Sequence, residues 1–403
     1  MAICYFDFTD SEELARAVEK LGADPRSFPY FANKGKTWAL FLPAVESRAA
    51  NALKQEMLSL GGDAAVHKRC IECKVEASDV ILLGTPKQLK GLAQKLSAMP
   101  YWGLEEVRKG LSAAIKGLSR KRWELELPRG RKLELGKRTL IMGIINVTYD
   151  SFYAGSRVGL DECADKAVTM VEEGAVIIDV GAESTRPGSS FLSLDEEMRR
   201  LVPAIRAIRD ALPDVVISAD TYKAQVAEAA VEAGADMIND ISGLGFDPDM
   251  PSAVANLGVP LILMHIKGTP QDMQRDPYYE NVMAEVAAYF EERLALAERC
   301  GIKRSQVILD PGIGFGKRLI DNKVILKHIE AFRTFGLPIL IGHSRKSFIG
   351  QILNQPDPEE RLLGTIAASS LCAWKGVEIL RVHDVKANAE ILKVIEAIKG
   401  TPL

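Results

Sequence analysis

Arg381 and His383 stand two residues apart in ILRVHD (379–384), so in an extended strand they share one face with Ile379. An Arg and a His at one point offer hydrogen-bond donors to an anion with several oxygens, such as a phosphate or diphosphate. Asn146, in the run TLIMGIINV (139–147), can join them at the anion. It can equally ligate a hard cation accompanying that anion, of which Mg2+ is the usual one. A second set is acidic and amide: Asp220 in VVISADT (215–221), Asn239 in MINDI (237–241) and Asp310 in VILDPG (307–312). Buried groups of this kind are costly unless something pairs them. Two carboxylates and an amide around one cavity match a flat heterocycle edged with N–H, amino and carbonyl groups, a pterin or a purine. A carboxylate metal site is the weaker reading, because Asp220 and Asp310 fall on the third and sixth of eight runs with no His–Glu set beside them.

Two long segments add to this chemistry. GAESTRPGSS (181–190) combines Thr185, Arg186, Pro187 and Gly188, the composition of an anion-tolerant loop that closes over a substrate. TYDSFYAGSRVG (148–159) is similarly long, and the two together predict a lid. DPGIGFGK (310–317) lacks the spacing of a Walker A loop; Phe315 between glycines reads as an apolar wall on a tight loop. SRKSFIG (344–350) brings Ser344, Arg345 and Lys346 to the end of another run, where a Lys can reach a ring carbonyl or an anion. His265, at the end of PLILMH (260–265), stands alone and is read as structural.

The elements that must carry these residues repeat. Eight short apolar runs, the others being VIIDVGAES (176–184) and PILIGHS (338–344), each give way to an amphipathic segment. Eight strand-then-helix units in succession are what a closed (β/α)8 TIM barrel demands, with its chemistry at the C-terminal strand ends. In a closed ring strand 8 neighbours strand 1, which puts Asn146 beside Arg381 and His383. Asp161 and Asp195 precede helical segments and Gly174 ends one. WELELPRGRKLEL (123–135) is two alternating runs joined by Pro-Arg-Gly, a hairpin able to plug the N-terminal end of the barrel.

The barrel occupies residues 123–400 and leaves 1–120 as a small α+β domain whose role is packing, oligomerisation or an accessory contact. In it TWALFLP, CIECKVEA and DVILLGT read as strands, and SRAANALKQEMLSL, PKQLKGLAQKLSAM and GLEEVRKGLSAAIKG as helices. A chain of 403 residues with 47% apolar and 26% charged residues is of ordinary globular composition. A net charge of −3 gives no global reason to bind nucleic acid, and no apolar run is long enough for a membrane span. The N-terminus has no secretory pattern, and six scattered cysteines fit reduced thiols in a cytoplasm. Cys70 and Cys73 form a lone C-x-x-C without the second pair of a zinc site and are read as structural or neutral.

MGIINVTYDSF, IDVGAESTRPGS, SADTYKA, INDISG, LDPGIGFGK, GHSRKSFIG, GTIAAS and LRVHDV, in this order from 141 to 385, resemble dihydropteroate synthase. The resemblance implies an alkyl-group transferase of folate biosynthesis that joins 6-hydroxymethyl-7,8-dihydropterin diphosphate to p-aminobenzoate, with Mg2+. It places the pterin on Asp220, Asn239, Asp310 and Lys346, with Met264 and Arg381 against the ring. It places the diphosphate and Mg2+ on Asn146, Arg186, Arg381 and His383. It places p-aminobenzoate near Thr185, Pro187, Phe315 and Ser344, and it implies a homodimer. One departure is Tyr149, where the family motif NVTPDSF has a Pro that would stiffen the first long loop. Two rivals are a methyltetrahydropterin-dependent corrinoid methyltransferase and a non-catalytic pterin-binding protein. The first has no reason to keep the STRPG loop, the SRK turn and the Arg381–His383 pair, and the second would be expected to lose the anion site before the pterin site, whereas both sets of residues are present.

Overall fold

A computed structural model describes residues 3, 4, 8, 11–147, 157–183 and 191–401. The chain divides into two compact units, one of Met1–Arg120 with Thr334–Gly336 and Gly400–Leu403, the other of Lys121–Arg333 and Leu337–Lys399.

The smaller unit is a three-stranded antiparallel sheet with Ala77–Gly84 between Trp38–Glu46 and Asp63–Ala65. Ala77–Gly84 alternates exposed and buried residues strictly, as a strand with one covered face must. Leu53 and Met57 of the helix Ser47–Ser59 and Leu89, Leu92 and Leu96 of the helix Pro86–Leu96 fill that face. A Thr85–Gln88 capping box starts the second of these helices. The expected strand CIECKVEA does not form. Its backbone bonds locally, Cys70 N to the His67 carbonyl and Cys73 N to the Cys70 carbonyl, and Cys73 takes a positive φ of 51°. Ile71, which alternation would have buried, is 70% exposed. Cys70 is buried in the core and Cys73 exposed, and neither is paired.

The larger unit is the barrel. Its strands are β1 (Leu140–Asn146), β2 (Ile177–Gly181), β3 (Val216–Asp220), β4 (Met237–Asp240), β5 (Leu261–Met264), β6 (Val307–Asp310), β7 (Leu340–Ile341) and β8 (Ile379–Val382). Neighbours pair in parallel from β1 to β6 and from β7 through β8 back to β1. A parallel bridge from Leu309 of β6 to Ile339, just before β7, completes the ring. The hairpin Trp123–Glu126/Lys132–Leu135 packs Trp123, Leu125, Leu133 and Leu135 onto the inward Met142, Ile177, Val216, Met237, Ile308 and Ile379. Burying each such side chain contributes roughly 2 kcal/mol. This apolar layer seals the N-terminal end.

Period-two alternation then dictates what comes above it. Two residues beyond the sealed layer, the same inward face carries Asp179 after Ile177, Asn239 after Met237, Met264 after Ile262, Asp310 after Ile308 and Arg381 after Ile379. On β3 the step is four residues, from Val216 through Ser218 to Asp220. The floor is apolar and the mouth is polar.

Candidate active site

Arg381 is the centre of the mouth. Its Nε donates to Asp179 Oδ2 and its Nη2 to Asp220 Oδ2, both at 2.6 Å. Asn239 Nδ2 lies 3.2 Å from the same Asp179 oxygen. Gly181 ends β2 beside Asp220, where a Cβ would stand 3.2 Å from the Asp220 Cβ and 3.4 Å from Oδ2. A glycine there lets the carboxylate lie across the neighbouring strand. Asp310 accepts from the Gly312 amide at 2.8 Å. Lys346 donates to the Ile313 carbonyl at 2.6 Å and stands 4.4 Å from the centre of the Phe315 ring. Phe315 clusters with Met264, Tyr222, Ile241, Ile266 and Met273.

The charges in this layer are held out of water. Burial pushes the Asp220 carboxyl up to about 7, against the pull of Arg381 and with the Asp179 charge adding to the rise. Burial also raises Asp310, and it brings Lys346 down to about 7 against the attraction of Asp310. Burial works against the Arg381 charge, but Asp179 and Asp220 outweigh it and hold the guanidinium charged. Such a set, with Asn239, Asp220, Asp310 and Lys346 offering both acceptors and donors, suits a flat polar heterocycle. Among the described residues no group of three or more His, Cys, Asp or Glu could hold a metal ion.

The expected corner of Arg381, His383 and Asn146 is rearranged. Arg381 is turned into the carboxylate layer, where the buried Asp179 and the largely buried Asp220 lie within reach. His383 instead pairs with Ser344, whose Oγ accepts from the His383 amide at 3.2 Å and lies 3.1 Å from Nδ1. The protein packed around it and the nearby Arg381 charge shift the His383 imidazole downward, although the residue itself stays exposed to solvent. Asn146 is exposed at the end of β1, with no hydrogen-bond partner for its side chain among the described residues. Arg345 does not join Ser344 and Lys346 at the mouth. It turns to Asp384, at 2.9 and 2.7 Å, and to Glu359. Lys317 is buried against His265 Nδ1 at 2.8 Å and the Phe315 carbonyl at 3.1 Å. Thr185, Arg186, Pro187 and Tyr149 lie outside the described residues.

Asp179 is the residue that the strand-end reading missed. The signal was present: Asp179 follows the inward Ile177 by two residues, the step that marks Asn239, Asp310 and Arg381.

With this geometry in place, comparison with known proteins is informative. The family described as pterin binding enzyme matches residues 142–383. The dihydropteroate synthase of Synechocystis is 47% identical over 274 residues, covering 68% of this chain and 94% of the relative. A Xanthomonas albilineans dihydropteroate synthase structure with 4-aminobenzoic acid superposes with a TM-score of 0.65 at 40% identity, covering 70% of this chain and all (100%) of that one. The same organism's enzyme in complex with 7,8-dihydropteroate gives a TM-score of 0.62 at 38% identity, over 69% of this chain and 100% of that one. The barrel is that of a pterin-binding enzyme. The chain belongs to the dihydropteroate synthase family and is a transferase. Among the described residues no helix is long and apolar enough to cross a membrane.

Proposed function

We propose that the chain condenses 6-hydroxymethyl-7,8-dihydropterin diphosphate with p-aminobenzoate to give 7,8-dihydropteroate and diphosphate. The observation that carries this reading is the ring of inward polar residues, Asp179, Asp220, Asn239, Asp310 and Arg381, above an apolar floor. The related structures with 4-aminobenzoic acid and 7,8-dihydropteroate support it.

In this reading Asp220, Asn239 and Asp310 receive the donor edge of the pterin, and Lys346 meets a ring carbonyl or nitrogen. Arg381 fixes the two acids and lies against the ring with Met264. Thr185, Pro187, Phe315 and Ser344 line the p-aminobenzoate side. Asn146, Arg186 and His383 face the diphosphate. The bond from the exocyclic CH2 to the bridging oxygen breaks, and its electron pair leaves with the diphosphate. The electron-rich pterin carries the positive charge left on that carbon. The amine lone pair of p-aminobenzoate then forms the new C–N bond and the amine gives up a proton. No side chain acts as nucleophile; holding the two reactants in line and stabilising the leaving group do the work.

Asn146, exposed at the end of β1, would hold a Mg2+ ion arriving with the diphosphate through its hard amide oxygen. When bound there, the ion would neutralise charge on the departing diphosphate. Residues 123–400 carry the reaction, and residues 1–120 form a separate domain. A homodimer through the barrel helices is supported by the exposed Ile352, Leu353, Leu363 and Trp374 of helices Ser347–Leu353 and Leu362–Trp374. The protein works in the cytoplasm, where its six free cysteines stay reduced.

The direct test incubates purified protein with the pterin diphosphate, p-aminobenzoate and Mg2+ and looks for dihydropteroate. Product formation is expected. Tight pterin binding without product would instead point to a non-catalytic pterin-binding protein.

A further inference from the structure

The segment that follows β5, residues 265–281, has no place in the chemistry above, yet it holds the loop after β6 by its backbone. Four consecutive carbonyl oxygens of that loop each accept from a different side chain. Lys346 Nζ donates to Ile313 (2.6 Å), Gln274 Nε2 to Gly314 (2.6 Å), Lys317 Nζ to Phe315 (3.1 Å) and the Tyr279 hydroxyl to Gly316 (2.8 Å). Gln274 and Tyr279 belong to the segment after β5, and Lys317 is tied to it by the 2.8 Å contact with His265 Nδ1. Burial holds the His265 ring neutral, which leaves Nδ1 able to accept.

The glycines of the loop show how closely the two segments lie. Gly312, Gly314 and Gly316 have φ of +66°, +83° and +60°, the left-handed region that glycine adopts without strain. A Cβ on Gly312 would stand 1.9 Å from the His265 carbonyl oxygen, and one on Gly316 would stand 2.2 Å from that of Lys267. Below, the Phe315 ring packs in one cluster with Met264, Ile266 and Met273, all from β5 or the segment after it. A loop of alternating glycines has few side chains of its own to anchor it. Its position is set by the donors to its carbonyls together with Asn322 Oδ1, which accepts from the Gly314 amide at 2.7 Å.

We propose that the segment after β5 is a positioning platform for the arylamine side of the site. Through the Lys317, Gln274 and Tyr279 bonds it sets the height of Phe315 and so the depth at which p-aminobenzoate sits over the pterin carbon. This rests on Phe315 being a wall of the p-aminobenzoate site, as read above. Lys317, Gln274 and Tyr279 touch no reacting atom; they are positioning residues.

The test is a set of double-mutant cycles in the full-length protein. Lys317→Met removes the donor at nearly constant length, Tyr279→Phe removes one oxygen, and Gln274→Ala truncates an exposed side chain. The KM for p-aminobenzoate should rise about fivefold in Lys317→Met and about twofold to threefold in the other two, with the KM for the pterin diphosphate changing by less than about twofold. In a Phe315→Ala background each change should add less than about twofold, because the group it positions is gone. If Lys317→Met does not fold, Tyr279→Phe and Gln274→Ala decide the matter by the same criteria. An unchanged p-aminobenzoate KM in the folded variants overturns the proposal, as do equal rises in both KM values that persist without Phe315. Should Phe315→Ala itself leave the p-aminobenzoate KM unchanged, the assignment of that wall falls and the platform falls with it.

Discussion

The two ends of this barrel treat buried charge in opposite ways. At the N-terminal end Asp236, fully buried, accepts from Arg131, from Arg209 at 2.6 Å and from the Ile217 amide at 2.9 Å. Glu378, 2% exposed, accepts from Arg333 at 2.9 Å and from the Ile339 amide at 2.8 Å. Each of these acids has its own cations and amides. At the C-terminal end a single guanidinium serves both Asp179 and Asp220, and Lys346 makes its short contact with a carbonyl instead of a carboxylate. The floor is satisfied by the protein alone. The mouth shares one cation between two acids where the floor gives each acid its own, the usual relation between a binding site that costs stability and a stable frame.

The largest effect expected from breaking this contrast is at Arg381. Arg381→Ala should lower kcat/KM about a thousandfold, roughly 4 kcal/mol of transition-state stabilisation, in steady-state assays. A loss of less than about tenfold would remove Arg381 from the site. Next, Asp220→Asn should weaken pterin binding by calorimetry about a hundredfold while making the free protein more stable by on the order of 1 kcal/mol. The sign follows from the raised carboxyl. Stability from such a group is fully present below the ordinary carboxylate range and is lost as pH rises through about 7. The advantage of the variant should therefore grow between about pH 4 and pH 7 and then level off. If the variant is instead less stable above neutral pH, the Asp220 charge is better satisfied than its surroundings indicate.

At the floor, Arg209→Ala should cost about 2 kcal/mol in denaturant unfolding, since Asp236 keeps Arg131, and should leave kcat/KM at 25 °C unchanged. A matching loss of activity would show that the two ends are not independent. The smallest effect is on pH dependence. Asp220 and Lys346 both lie near 7, so pterin affinity should be bell-shaped, falling several-fold at about pH 6 and about pH 8. Asp220→Asn should remove the acid limb and Lys346→Met the alkaline one.

The inward face of each strand was legible from spacing alone. Asn239, Asp310 and Arg381 could be named because each stands two residues beyond an apolar inward residue. Asp179 obeys the same rule but sits inside the run VIIDVGAES (176–184), whose polar end draws attention to the STRPG loop instead. The turn at Cys70–Cys73 was misread because alternation alone does not say whether a segment has a strand to pair with. Gln274 and Tyr279 carry no motif; their donors matter only because the β6 loop folds back onto them.

What the chain determined by itself was therefore the ring of eight strands and which residues face its lumen, since period-two alternation and strand-end position are local properties. Tertiary structure alone decided the partners. Arg381 meets Asp179 and Asp220 across 202 and 161 residues of chain, and Lys317 meets His265 across 52. Ring closure and the stagger of neighbouring strands set those meetings, and both are properties of the assembled barrel.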